Sequence, residues 1–409
     1  MNSLRLKNVI LLTVDTLRKD VLGCYNPESK LTPFIDSLQD RCIKFTNMQA
    51  VGPYTQASFP GILTSSYYFD WGRHKKCPPQ RILISEVLKK GGITTAGIHS
   101  NPYISEFFGW NRGWDFFYDS MEEEVTDEVP YIKGDKINKK VDEWLSSHIK
   151  GKDYGRFFLW MHYMDVHEPY VPERRYVEMV DPSIKLSSNE MFNLFKNVIL
   201  KRDVSDKEKV ELLKKLYFAH VREIDEYVQD FFSILKRYDL LENSTVIITS
   251  DHGDEFGEHG GLSHDGKFYS ELINVPFLIY NPGEDEGKVC DKLVSNIDIP
   301  PTILHIFGLE QFKGFKGHSL LPLENYPEKG CFGEAIDKRS AHEKETDKPT
   351  YYYQEEKLKI IYRESTDTWE MYDLRDDPRE LNNIVNISTR AESMKQILKP
   401  RIGRWLKDK

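Results

Sequence analysis

The sequence contains few cysteines, and they are not arranged as a disulfide framework or a metal cluster. Five cysteines are scattered along 409 residues, and no two of them form a C-x-x-C pair. An odd number of isolated cysteines is not typical of a small disulfide-stapled domain or of a structural zinc site. We therefore expect five free thiols: Cys24, Cys42, Cys77, Cys290 and Cys331.

An excess of positive charge and long apolar runs are also missing. The 65 acidic residues outnumber the 56 lysines and arginines, which gives a formal net charge of -9. Such a chain has no general attraction to nucleic acid or to an anionic membrane. The apolar run that precedes Asp15 has about seven residues, too short for a signal-peptide core or a membrane span. We expect a cytoplasmic protein with no membrane span and no nucleic-acid partner, and the oligomeric state stays open.

The composition is that of a folded globular protein with a large core. Hydrophobic residues make up 39% of the chain and aromatic residues 12%, which excludes a disordered or fibrous protein. A length of 409 residues exceeds the usual size of one compact domain, so we expect one large domain with a smaller part, or two domains.

Apolar, β-branched runs alternate with helical patterns along the chain. Continuous runs of this kind are typical of strands that are buried on both faces of a sheet. Alternation of strands and helices predicts an α/β fold, with a mostly parallel central sheet and helices on both faces. The predicted strands are residues 8–14, 94–100, 156–163, 244–250 and 275–281, and the predicted helices are residues 32–42, 136–149 and 206–238.

Polar side chains follow four of the predicted strands, at the point where each strand ends. In parallel sheets the ligand lies beyond the carboxyl ends of the strands, so these side chains are expected to converge on one edge. Loop residues and helix caps are the alternative explanation for each residue taken alone. The groups concerned are Asp15, His99 to Asn101, His162 with Asp165 and His167, and Asp251 with His252.

The stretch "SDHGDEFGEHG", residues 250–260, predicts a metal site. Adjacent Asp251 and His252 offer a carboxylate oxygen and an imidazole nitrogen, a pair that suits Mn, Zn, Mg or Ca according to the other ligands. The glycines that follow allow the backbone to turn tightly around a bound group. A glycine-rich surface loop is the alternative.

Several of these segments resemble a known family. "NVILLTVDTLRKDVLGCYN" with "TPFIDSLQDRCIKFTN" resembles the opening of the sulfatase family within the alkaline phosphatase superfamily, and "TSDHGDEFGEHG" resembles its metal-site motif. The resemblance spans nearly the whole chain. It implies a catalytic domain over residues 1–325 and a smaller C-terminal α+β part with a short antiparallel sheet over residues 326–409. Further segments that resemble the family, in its order, are "SNPYISEFFGWNRGWDFF", "HYMDVHEPYVP", "VSNIDIPPTILHIFGL", "GHSLLP" and "WEMYDLRDDPRELNNI".

The resemblance assigns the nucleophile to the stretch "VGPYTQASFPGILTSS", residues 51–66. Sulfatases carry C-x-P-S-R or S-x-P-S-R here and oxidise the Cys or Ser to formylglycine, whereas this chain has Thr55, Gln56, Ala57, Ser58 and Phe59. Threonine is not matured to formylglycine by the known route. A threonine in this position resembles instead the phosphodiesterases, nucleotide pyrophosphatases and lipoteichoic acid synthases of the superfamily. A helix N-cap is the alternative role for this residue.

By this resemblance, one divalent cation is bound by Asp15, Thr55, Asp251 and His252, and Thr55 attacks the substrate. Metal coordination is a recognised way to activate a hydroxyl nucleophile. A second ion is possible through Asp165, His167 and His264. Because Asp165 and His167 are two residues apart, where the two-metal motif typically has four, we expect one ion.

Other residues are expected to contact the substrate. His167 in "HEPY" resembles the anion-binding histidine of the family, and Asn101 is expected to donate to a non-bridging oxygen. His264 is expected to act as a ligand or as the general acid toward the leaving oxygen. The lysine position of the family falls on Asp265, so Lys267 is a nearby candidate only.

These assignments predict a metal-dependent hydrolase that acts on a small anionic ester. Phosphate monoesters, phosphate diesters or phosphonate esters are expected as substrates, through a covalent threonine intermediate. A sulfuric ester hydrolase and a phosphoryl-group transferase are the alternatives. A non-catalytic binding protein is disfavoured, because the nucleophile and the metal ligands are retained together. The scaffold alone does not choose among substrates.

Overall fold

The computed structural model describes residues 8–72, 76–149, 155–281, 287–337 and 348–404. Its strands are β1 Asn8–Val14, β2 Cys42–Gln49, β3 Thr94–His99, β4 Phe116–Asp119, β5 Phe157–Tyr163, β6 Ser244–Ser250, β7 Glu255–Phe256, β8 Leu262–Ser263, β9 Asn274–Tyr280, β10 Lys288–Cys290, β11 Val294–Ser295, β12 Cys331–Ile336, β13 Pro349–Glu355, β14 Leu358–Arg363 and β15 Thr368–Asp373. Its helices are α1 Pro33–Ser37, α2 Thr55–Thr64, α3 Ile84–Lys90, α4 Gly134–His148, α5 Arg174–Val180, α6 Ser188–Val198, α7 Lys207–Arg237, α8 Ser270–Ile273, α9 Ile299–Ile306 and α10 Ala391–Leu398.

A nine-stranded sheet forms the centre of the molecule, in the order β10-β2-β9-β6-β1-β5-β3-β4, with β11 also paired to β2. Strand β1 lies between β5 and β6 and pairs in parallel with both. Within the described sheet, β9 alone runs against its neighbours, β2 and β6. The expected α/β fold with a mostly parallel sheet is therefore confirmed.

Residue alternation along the central strands divides the core into two layers. Val9 and Leu11 of β1 face one layer, which contains apolar residues of α2, α3, α9 and the C-terminal strands. Ile10 and Leu12 face the other layer, which is formed with α1, α4, α5, α6 and α7. Because both faces of β1 are covered, its apolar residues are all buried, which explains why the strand reads as a continuous apolar run.

The C-terminal part contains a four-stranded antiparallel sheet, β12-β13-β14-β15, followed by α10. This agrees with the small antiparallel sheet expected from the sequence. Apolar residues of these strands join the same core layer as α2 and α9. The division at residues 325 and 326 stays a prediction.

The predicted strands match the observed ones to within one residue at each end. The predicted helix at residues 32–42 is shorter in the structure, because α1 ends at Ser37, a 3₁₀ turn covers Gln39–Arg41, and β2 begins at Cys42. The five cysteines are free thiols, as expected. Among the described residues, no helix has the length and apolar character needed to cross a membrane.

Candidate active site

Thr55 is the first residue of α2, at the carboxyl edge of the central sheet. The turn that leads into the helix is tight, because a Cβ atom at Gly52 would lie 2.4 Å from the Cβ of Ala57. Tyr54 occupies the N-cap position, so the alternative of an N-cap role does not apply to Thr55. Its Oγ1 atom lies 3.4 Å from Asp15 Oδ2 and 3.4 Å from His252 Nε2.

Asp15 follows β1 directly and is fully buried. Its Oδ2 atom accepts a hydrogen bond of 2.7 Å from Asn101 Nδ2 and lies 3.3 Å from His162 Nε2. Burial opposes ionisation of this carboxyl, but the hydrogen bond to His162 and the positive charge of nearby histidines hold its pKa below the ordinary value. Asp15 is therefore a carboxylate.

Asp251 and His252 follow β6, which lies next to β1 in the sheet. The turn after them needs glycine, because a Cβ atom at Gly253 would lie 2.1 Å from the carbonyl oxygen of Glu271. Gly253 N also donates to Leu272 O at 2.8 Å, which ties the turn to the segment before β9.

Three of the residues that are expected to bind a metal have their ligand atoms close together. The atoms offered by Asp15, Asp251 and His252 all lie within 4.8 Å of one another, and the three side chains are fully buried. Asp15 Oδ1 and Asp251 Oδ2 have no hydrogen-bond partner among the described residues. Burial, and then the charge of Asp15, raise the pKa of Asp251 well above its usual range. Two buried carboxyl groups, each with an oxygen that has no hydrogen-bond partner among the described residues, lie beside an imidazole, and a divalent cation fits this donor set because its charge would keep both groups ionised.

Two further histidine rings, those of His264 and His167, cluster with the ring of His252. The ring centroid of His264 is 4.6 Å from that of His252 and 5.0 Å from that of His167. Nδ1 of His252 lies 2.9 Å from Gly253 O, and Nδ1 of His167 lies 2.6 Å from Glu168 O. Since a carbonyl oxygen only accepts, both Nδ1 atoms carry a proton. Burial lowers the pKa of His252, which leaves its Nε2 as a ligand atom. Although burial opposes it, the charges of Asp15 and Glu168 raise the pKa of His167, so that its Nε2 can donate to an anion.

His264 is held by an acidic residue that the sequence reasoning did not select. Its Nδ1 donates to Asp254 Oδ1 at 2.9 Å, and Tyr170 donates to Asp254 Oδ2 at 2.5 Å. Asp254 also belongs to a second group of possible metal ligands, with His252 and His264. The hairpin of β7 with β8 brings Asp254 and His264 together.

The suggested second metal site is corrected by this geometry. Asp165 Oδ1 accepts from Gly134 N at 3.0 Å, and burial with the charge of Glu223 raises the pKa of Asp165 to about 8. Among the described residues, Asp165 joins no group of possible metal ligands, because its carboxylate packs against the start of α4. Asp254 is the acidic residue beside His264 instead.

Lys267, the candidate substrate-binding lysine, is engaged in ion pairs within the protein. Its Nζ lies 2.7 Å from Glu255 Oε2 and 3.3 Å from Asp265 Oδ2, and it donates to His259 O at 3.3 Å. These partners occupy the ammonium group. A contact of Lys267 with substrate is therefore not supported by the geometry.

Two further residues line the site. His162 lies near the end of β5. It is one of the polar residues at the ends of the predicted strands, so the sequence indicates that it lies at the site. Phe59 stands where the sulfatase motif has arginine, and its ring packs edge-on against His162 at 5.1 Å and against Trp160 at 5.7 Å. An arginine at this position would have to be buried in that apolar contact.

Comparison with known proteins identifies the family. The sequence model of the family described as Sulfatase matches residues 7–309, about three quarters of the chain. The chain belongs to the sulfatase family. A second family model, described as the C-terminal part of N-sulphoglucosamine sulphohydrolase, matches residues 257–407. The chain is therefore a hydrolase of ester bonds, sulfuric or phosphoric, as the sequence predicts.

Individual relatives agree with this membership. An arylsulfatase of Clostridium perfringens is 23% identical over an alignment of 441 positions, which covers 93% of this chain and 90% of the relative. A structure described as BT4656 in complex with its substrate D-glucosamine-2-N,6-O-disulfate superposes with a TM-score of 0.79 at 21% identity, over 98% of both chains. The phosphonate monoester hydrolase of Agrobacterium radiobacter superposes with a TM-score of 0.76 at 18% identity, over 98% of this chain and 96% of that one.

Proposed function

We propose that this sulfatase-family protein hydrolyses a sulfuric ester, with Thr55 as its nucleophile. The observation that carries the nucleophile assignment is the position of Thr55 Oγ1, 3.4 Å from both Asp15 Oδ2 and His252 Nε2. The family match and the sulfatases among the relatives favour a sulfuric ester as the substrate. This reverses the order of the sequence prediction, which put phosphorus esters first.

In the first step, Thr55 Oγ1 attacks the sulfur atom in line with the leaving oxygen. A bond forms between Oγ1 and sulfur, and the bond between sulfur and the alcohol oxygen breaks. His264 gives the leaving oxygen its proton from Nε2 while Asp254 accepts from Nδ1, so the imidazolium is the acid form. Burial and the charges of His252 and His167 lower the pKa of His264, which makes this imidazolium a strong acid. His167 Nε2 and the amide groups at the start of α2 bind the non-bridging oxygens.

In the second step, water attacks the sulfur atom of the sulfated threonine. His264, now without its proton, takes a proton from the water. The bond between sulfur and Oγ1 breaks, and hydrogen sulfate leaves and releases its remaining proton to bulk water. Thr55 Oγ1 takes back from bulk water the proton that it released there on activation. Asn101 and His162 keep the Asp15 carboxylate in place through both steps, because both contact its Oδ2 atom.

Asp15, Asp251, His252 and the Thr55 hydroxyl are the residues that would hold a divalent cation. When bound, such a cation lowers the pKa of the coordinated hydroxyl and offsets the negative charge that develops on the transferred group. Oxygen and imidazole donors are compatible with Mn, Zn, Mg or Ca.

A phosphonate or phosphate ester is the second candidate substrate. Two observations favour it: threonine replaces the Cys or Ser of the sulfatase motif, and a phosphonate monoester hydrolase is among the structural neighbours. The same residues would perform both reactions, because both transfer a tetrahedral anionic group.

The experiment that tests the proposal measures initial rates of the metal-stripped protein on matched nitrophenyl esters. The sulfate, phosphate monoester, phosphate diester and phosphonate are each assayed after addition of Mn, Zn, Mg or Ca. A metal-dependent rate that is highest on the sulfate is the expected result. A higher rate on a phosphorus ester selects the second candidate. If added alcohol but not water supports turnover, the protein is a transferase and the proposal is wrong.

A further inference from the structure

A cavity lies between the catalytic part of the molecule and the loop that follows β15. Its volume is about 390 Å³, and cavities of about 300–1,000 Å³ are the usual size of small-molecule sites. The lining comes from the turn after β1, from α7, from the β7–β8 hairpin, from α8 with the start of β9, and from the loop at residues 378–381. The described lining includes none of the residues assigned above to the cation, the nucleophile or the general acid.

Positive charge exceeds negative charge in this lining, although the chain as a whole has a formal net charge of -9. Four lining residues are lysines or arginines: Arg18, Lys19, Lys214 and Arg379. Three lining residues are acidic: Asp20, Glu258 and Glu271. A concave surface with an excess of one sign of charge concentrates ions of the opposite sign. The cavity therefore favours an anion.

Two of the acidic residues are already paired with cations of the protein. Arg18 Nη2 lies 2.7 Å from Asp20 Oδ2, and Arg18 Nη1 lies 2.8 Å from Glu258 Oε1. Lys214 Nζ lies 3.4 Å from the same oxygen of Glu258. These carboxylates are therefore neutralised by Arg18 and Lys214.

The third acidic residue, Glu271, is paired with a histidine. Nδ1 of His259 lies 2.6 Å from Glu271 Oε1, and Nε2 of the same ring donates to Arg379 O at 3.1 Å. Although burial opposes it, the hydrogen bond and the charge of Glu271 raise the pKa of His259. Glu271 is therefore not available to balance another cation of the lining.

Lys19 and Arg379 are left without a carboxylate. In the part of the chain that the structure describes, neither residue forms an ion pair. Lys19 Nζ donates to Thr46 O at 2.9 Å, and burial, followed by the charge of Lys357, lowers the pKa of Lys19 to about 8. An ammonium group that loses water without gaining a counter-charge shifts in this direction. An anion in the cavity would supply the missing negative charge.

We propose that this cavity is a second anion site, which binds a tetrahedral oxyanion: inorganic phosphate or sulfate, or the same group carried on a small alcohol. The inference does not rest on the proposed function, because the catalytic residues do not line the cavity. A tetrahedral oxyanion has several acceptor oxygens, so ammonium and guanidinium groups from different parts of the chain can donate to it together. The bound anion joins Lys19, in the turn after β1, to Arg379, in the loop after β15.

The cavity is linked to the catalytic edge of the sheet through Arg18. Its Nη1 donates to Asp254 O at 2.9 Å, and the carboxylate of Asp254 accepts from His264. A Cβ atom at Gly253 would lie 3.0 Å from Arg18 Cγ, so this side chain also packs against the turn that follows the metal ligands. Because the two sites are adjacent, binding in the cavity has to be distinguished from binding beside Thr55.

Differential acetylation of Lys19 makes this distinction. The full chain is treated with an amine-reactive acetyl ester in phosphate, in sulfate, in phenyl phosphate, or in sodium chloride of the same ionic strength, and peptide mass spectrometry gives the rate at each lysine. At an anion concentration of about three times Kd we expect acetylation of Lys19 to be about fourfold slower than in chloride, because about three quarters of the sites are filled. Exposed Lys185, which lines no described site, is the internal control and should react at the same rate throughout.

The set of protecting anions identifies the source of the ligand. Protection by inorganic phosphate or sulfate supports a site for the free anion. Protection by phenyl phosphate alone supports a site for the esterified group. Rates of Lys19 acetylation that are the same in all three anions as in chloride would overturn the proposal.

Two variants show where the protecting anion binds. Arg379→Gln removes an exposed cation but keeps the backbone carbonyl that accepts from His259, and it should raise the anion concentration that half-protects Lys19 about fivefold. His167→Ala removes an anion contact of the catalytic site and should leave the protection of Lys19 unchanged. Equal protection in Arg379→Gln and the wild type, or loss of protection in His167→Ala, would overturn the proposal, whether or not the wild type hydrolyses any ester.

Discussion

A single carboxylate oxygen connects the side chains that the candidate reaction needs. Asp15 Oδ2 is contacted by Thr55, Asn101 and His162, while Asp15 Oδ1 has no hydrogen-bond partner in the part of the chain that the structure describes and is available to a cation. Because one oxygen is saturated with hydrogen-bond donors, the carboxylate has one orientation. Replacement of any of these donors is expected to weaken cation binding, and thereby to reduce the activation of the Thr55 hydroxyl.

Asn101→Ala tests this arrangement through metal affinity. Loss of the donor to Asp15 frees the carboxylate to rotate, and removal of such supporting contacts typically costs about 10–100-fold in metal affinity. Calorimetric titration of the metal-stripped protein measures the change in Kd. Asn197→Ala, on the exposed side of α6, is the control. An unchanged Kd for Asn101→Ala would show that the donor does not orient the ligand.

The variant Phe59→Ala tests the packing of the residue that stands where the sulfatase motif has arginine. Its ring is fully buried against Trp160 and His162, so Phe59→Ala leaves a cavity and should lower the free energy of unfolding by about 3–5 kcal/mol. Urea denaturation measures the loss. Stability within about 1 kcal/mol of the wild type would mean that the ring does not pack as described.

At the scale of elements, the β7–β8 hairpin shows where sequence reasoning succeeds and where it fails. The buried apolar runs of β1 and β6 show where these strands end. The sequence therefore predicts that Asp15, Asp251 and His252 converge. The pairing of Asp254 with His264 depends on how ten residues fold back, and no periodicity encodes that path. The ion pair of Lys267 with Glu255 escaped prediction for the same reason.

Gly253→Ala tests the turn that carries Asp251 and His252. A Cβ atom there would lie 2.1 Å from the carbonyl oxygen of Glu271, so the backbone must shift. We expect a loss of about 1–3 kcal/mol in the free energy of unfolding, together with weaker metal binding. Gly155→Ala is the control, because its Cβ would meet nothing within 4 Å. Equal stability of the two variants would contradict the close approach.

At the scale of the whole molecule, the C-terminal sheet packs against the segment that carries His264. Lys359 of β14 and Glu380 form an ion pair of 2.7 Å, and both side chains are fully buried. Lys359 Nζ donates to Phe268 O at 3.1 Å, and Ser270 N donates to Glu380 Oε2 at 2.6 Å. The C-terminal part therefore holds residues 268–270, close to the catalytic edge, and we propose that it is a subdomain of the catalytic unit.

Removal of one partner of the Lys359–Glu380 ion pair should lower the free energy of unfolding more than removal of both partners. Lys359→Met leaves a buried carboxylate without its cation, which typically costs about 3–5 kcal/mol. In the double variant Lys359→Met with Glu380→Leu, no charge is left unpaired, so a smaller loss is expected. Denaturant unfolding of both variants checks the order, and an equally stable single variant would contradict the burial of the pair.

The measurement that tests the central claim most directly is the mass of the peptide that contains Thr55 after rapid acid quench during turnover. Wild-type protein is mixed with saturating nitrophenyl sulfate and the activating metal, and Thr55→Ala and Thr55→Ser are run in parallel. A sulfated peptide assigned to Thr55, absent in Thr55→Ala and retained in Thr55→Ser, is the predicted result, with turnover of Thr55→Ala lower by on the order of a thousandfold or more. Undiminished turnover of Thr55→Ala would contradict the assignment of Thr55 as the nucleophile.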